Sequence, residues 1–62
     1  MRLTTDQIDK LCDLKGRYTD CDVVELYIPM AMPPGYISFL LEDGDERLLL
    51  EGCVTPTGEV HT

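Results

Sequence analysis

Near the start of the chain, apolar residues recur at helical spacing. Ile8, Leu11 and Cys12 fall at i, i+3 and i+4, with Leu14 beside them. This predicts an amphipathic helix over about residues 5–15. Thr4 and Gln7 have capping-box spacing, and Leu3 and Ile8 fall at the positions of a hydrophobic staple. Gly16 is the expected stop, because glycine enters the left-handed conformation without steric cost. The pattern then changes to alternation. Val24, Leu26 and Ile28 point one way and Val23, Glu25 and Tyr27 the other, which predicts a strand over 23–28. Pro29, Pro33, Pro34 and Gly35 mark the next stretch as a loop, one unusually rich in apolar side chains.

A second strand is expected over 36–42 and a third over 46–53, joined at Asp43-Gly44 by a two-residue type I′ turn. That turn pairs Phe39 with Leu48 and Ile37 with Leu50, on one apolar face. Tyr36, Ser38 and Leu40 then oppose Glu51, Leu49 and Arg47 on the other face. The tail, 55–62, holds a Pro-x-Gly turn, after which Val60 either adds a short strand or frays. The expected fold is α+β: one N-terminal helix on a three-stranded antiparallel meander (αβββ), all in one domain spanning 1–62. The helix covers one sheet face. The other would expose an apolar patch of Val23, Tyr27, Tyr36, Leu40 and Leu49, with Cys53 at its end, extended by Met30 and Met32 of the loop.

Size and charge narrow the function. A chain of 62 residues buries only about 60% of its unfolded surface, so it has little depth for a catalytic pocket. An apolar content of 44% separates it from disordered chains. No apolar run approaches the ~20 residues of a membrane span, and no apolar signal core opens the chain. The three cysteines, an odd count, suit a reducing cytoplasm. Twelve acidic residues against five basic ones give a net charge of −7. That opposes direct contact with nucleic acid or anionic membrane and favours a basic protein surface.

The motifs of catalysis and metal binding are missing. Cys12, Cys21, Cys53 and His61 have none of the tight pairing of structural zinc sites. The single histidine sits near the C-terminus, an unpromising place for a positioned base. Neither an enzyme nor a cofactor is expected. What remains is the grouping of acids. Asp6, Asp9 and Asp13 fall within about one sixth of the helix circumference, and Asp20 and Asp22 follow them. Glu42, Asp43, Asp45 and Glu46 crowd the hairpin tip.

With Asp6, Asp9, Asp13, Glu42, Asp43, Asp45 and Glu46 as its carriers, the chain resembles small phage-encoded inhibitors of the anti-CRISPR and DNA-mimic type. The likeness is one of overall character: a tiny acidic helix-plus-sheet domain without catalytic residues. It implies a protein acting in the bacterial host cytoplasm that blocks a CRISPR effector complex, such as one of the Cascade type, by occupying its basic DNA-binding surface. The alternative is a structural or adaptor module self-associating through Tyr27, Met30, Met32, Tyr36, Leu40 and Leu49. The sequence leaves open whether the chain is a monomer or a homodimer.

Overall fold

The helix starts where the capping box places it. In the computed structural model, which describes residues 2–18 and 21–62, helix α1 spans Thr5–Arg17. Thr4 Oγ1 accepts from Gln7 N at 3.1 Å, and Thr4 N donates to Gln7 Oε1 at 2.8 Å. The buried face differs from the expected one. Gln7, Leu11 and Leu14 are buried, whereas Ile8 is 47% exposed and Cys12 is exposed. Gln7 explains the rotation. Its Nε2 donates to Gly35 O at 2.7 Å and to Val54 O at 3.2 Å. With three partners its amide is buried at no net penalty, and it ties the helix start to the loop and to the sheet. The helix also runs past Gly16, whose φ is not positive. Tyr18 N closes the last turn on Leu14 O at 3.2 Å, and the Tyr18 side chain packs against the core. Tertiary contact thus overrides the local stop signal.

Strands β1 (Cys21–Tyr27), β2 (Ile37–Asp43), β3 (Leu48–Val54) and β4 (Val60–His61) form one antiparallel sheet in the order β1-β2-β3-β4. The expected meander is present, with the tail adding the short fourth strand. Leu11, Leu14, Cys21, Ile37, Phe39, Leu41 and Val54 make the core, with Phe39, Leu41 and Val54 fully buried. Ile28 falls outside β1 and is 65% exposed rather than part of the inner face. No helix among the described residues is long and apolar enough to cross a membrane.

The β2–β3 connection departs from the two-residue turn. Glu46 N donates to Asp43 O at 3.0 Å, and Asp43 N donates to Arg47 O at 3.0 Å. Glu46 has a left-handed φ of 62°, while Gly44 does not have a positive φ. This is the three-residue loop, a tight turn closed by a left-handed residue. The Asp43 carboxylate selects it: Oδ1 accepts from Asp45 N at 2.8 Å and from Arg47 N at 2.9 Å. Aspartate suits this first corner because its side chain satisfies the turn's own amides.

The register moves accordingly. Glu42 opposes Leu48, which on its own is a three-residue slip from the expected pairing. An odd slip turns a strand over and would direct Glu51 at the core. A bulge at Leu49 adds the fourth residue. Leu41 then opposes Leu50, Phe39 opposes Gly52 and Ile37 opposes Val54. Leu50 and Val54 return to the inner face, Leu49 also packs against the core, and Leu48 is left 54% exposed.

Candidate functional site

Three surface regions carry the chemistry, and each follows from a local feature of the fold. The first is the hairpin tip. Asp45 and Glu46 are exposed there, and Glu42 and Asp43 are half-buried. Asp43 is engaged by its own turn, so it acts as a structural acceptor. Counting Arg47, the tip has four acids against one base, a local charge of −3.

The second region is the helix stripe. Asp6, Asp9 and Asp13 are exposed and line one shallow groove of about 380 Å³ with Lys10, Thr57 and Gly58 of the β3–β4 turn. Two cations share it. Lys10 lies in the groove, and Arg17 Nη2 pairs with Asp13 Oδ2 at 3.1 Å. Three acids against two bases leave a local charge of −1, so the stripe is the weaker of the two acidic sites. The Arg17–Asp13 pair is at least half exposed on both sides and is worth at most about 1 kcal/mol. Asp20 lies outside the described residues, and of Asp22 only the backbone is described.

The third region is the free face of the sheet, which differs from the expected apolar patch. The register places exposed Glu25 and exposed Glu51 on either side of half-buried Leu40. The two-residue turn would have put Arg47 there instead of Glu51. Leu49 has left this face for the core. Tyr36 is half-buried at the start of β2, and Met30 is fully exposed on the loop. A second row crosses all four strands, Tyr27–Ser38–Cys53–His61. Together with Met32 and Glu51 this row lines an open groove of about 370 Å³, floored by the buried Ser38 and Cys53.

That row brings Cys53 and His61 opposite each other, a juxtaposition that their separation in sequence concealed. The signal for it was the Pro-x-Gly turn at 56–58, which folds the tail back along β3. His61 Nε2 lies 3.9 Å from Glu59 Oε2, beyond hydrogen-bond distance, and both side chains are exposed. All three cysteines are thiols, Cys12 exposed and Cys21 and Cys53 buried. Among the described residues, no three metal-ligating side chains come together. Comparison of the chain with protein-family models, with characterised proteins and with solved structures finds no match.

Proposed function

We propose that this chain is a small acidic protein-binding inhibitor that presents its carboxylates to the basic nucleic-acid-binding surface of a larger complex. A CRISPR effector of the Cascade type is the partner that the resemblance in character points to. The observation that carries the reading is Glu46. A left-handed φ costs a non-glycine residue roughly 1–2 kcal/mol, yet an exposed glutamate holds that position at the acidic hairpin tip. Strain of this kind, retained where glycine fits better, favours a role for the side chain itself. The free-face acids Glu25 and Glu51 extend the negative field, and a charged cleft or groove binding DNA responds to such a field.

Self-association through the free face meets an obstacle in the same residues. Packing two copies there would bury Glu25 and Glu51 of each with His61 as the one basic side chain of that row, and a buried carboxylate left unpaired costs several kcal/mol.

The test is competition for target DNA on purified multi-subunit effector complexes. The wild-type chain is expected to displace DNA, less effectively as salt rises. The variant Asp45→Asn with Glu46→Gly should lose most of that effect while its thermal stability increases, since the strain is relieved. Opposite signs in binding and stability separate a contact role from a folding role. Full competition by this variant, or none by the wild type on any complex, would overturn the proposal.

A further inference from the structure

The groove on the free face has walls of a definite kind. Tyr27 offers an aromatic ring that is 46% exposed, and Met32 a thioether that is 39% exposed. Glu51, two strands away on β3, is the carboxylate lining the groove. Ser38 and Cys53 form a closed floor between them. Backbones two strands apart are about 10 Å from each other, a span that one long side chain lying across β2 can bridge. A volume of about 370 Å³ is at the small end of ligand pockets, which suits a single side chain better than a nucleotide.

We infer that this groove receives the side chain of an arginine from a basic protein partner. The inference rests on the reading of the chain as a ligand of basic surfaces, and it names the group that such a surface would insert. Charge selects a cation: the side chains lining the groove, His61 among them, carry a formal −1 through Glu51, and Glu25 stands beside Tyr27 on β1. The same charges turn away anions and a second copy of this face. Planarity selects arginine over lysine. A guanidinium stacks flat on the Tyr27 ring beneath the Met32 thioether, while its N–H fork meets the Glu51 carboxylate. An ammonium offers a point charge with no face to stack. The hydrophobic stem of the arginine lies along Met32 and the Ser38–Cys53 floor, as long cationic side chains do on apolar surface.

The test uses the whole chain, isotope-labelled, titrated with three blocked peptides Gly-Ser-Xaa-Ser-Gly in which Xaa is arginine, lysine or citrulline. Arginine is expected to move the amide signals of Tyr27, Ser38, Glu51 and Gly52, with affinity about tenfold above citrulline. Lysine should fall between them. Glu51→Gln should bring arginine down to the citrulline level, and Tyr27→Leu should weaken it about threefold. Gly16→Ala, remote from the groove, should change nothing. Equal binding of citrulline and arginine, equal binding of lysine and arginine, shifts confined to the hairpin tip or helix stripe, or no shifts at all would each overturn the inference. The broader reading fails separately: arginine seated in the groove, together with a wild-type chain that displaces no DNA, removes the effector and leaves the groove standing.

Discussion

The two hairpins of this protein are built on one plan and filled with opposite chemistry. At Asp43–Arg47 and at Thr55–Glu59 the first residue accepts from the fourth and donates to the fifth, with the fourth left-handed. In both, the side chain of the first residue also accepts from the fifth residue's N–H: Asp43 Oδ1 in one, Thr55 Oγ1 in the other. The fourth residue separates them. It is Gly58 in the second hairpin, with φ 89°, and Glu46 in the first, with φ 62°. The second hairpin is also seated on the body of the molecule. Thr4 Oγ1 donates to Pro56 O at 2.7 Å, and a Cβ at Gly58 would sit 3.1 Å from Asp6 O. The first is exposed from Gly44 to Arg47 and strained at Glu46. One loop is tied to the helix, and the other holds a cluster of acids.

This contrast can be broken at the second hairpin. Gly58→Ala adds a left-handed penalty of roughly 1–2 kcal/mol to a close approach on the helix backbone. A loss of about 2 kcal/mol or more is expected in urea unfolding, a large share of the ~3–5 kcal/mol that a domain this small commands. A loss below about half a kcal/mol would show that the loop is not seated as described. Next in size is Asp43→Ala, which removes the acceptor for two turn amides and should cost about 1–2 kcal/mol. Cross-strand contacts in nuclear Overhauser spectra should still place Leu41 opposite Leu50, because the substitution also removes the Asp-Gly pair on which a two-residue turn depends. The smallest effect has the opposite sign. Glu46→Gly should stabilise by about 1 kcal/mol, raising the melting temperature by roughly 4–8 °C. Destabilisation there would mean that Glu46 is held by something other than its turn.

Much of the fold is readable from residues that act locally. The capping box at Thr4 and Gln7, the alternation at Val24–Leu26 and the breakers in the 29–35 loop all act within a few positions, and the structure keeps them. The departures arise where a distant partner decides. Gln7 is a surface residue by its type, yet Gly35 and Val54 supply acceptors that draw it inside and turn Ile8 outward. Asp43-Gly44 is compatible with two loop lengths, and the Asp43 carboxylate decides between them in three dimensions. The candidate sites follow the same division. The acidic runs at 6–13 and 42–46 are visible in the sequence. The pairing of Glu25 and Glu51 around Leu40, and the row ending in Cys53 and His61, depend on a register that only the folded chain settles.

The bulge at Leu49 has a consequence for how such a sequence can change over generations. The unpaired positions can be lost without moving a pair: shortening the tip by one residue still lets Asp43 face Arg47, and removing Leu49 still leaves Leu50 opposite Leu41. A deletion inside the paired stretch is different: loss of Glu51 would set Cys53 opposite Phe39 and Val54 opposite Ser38, turning Val54 outward. Descendants of this chain should therefore change length at the tip or at the bulge, and keep the spacing from Leu50 to Val54.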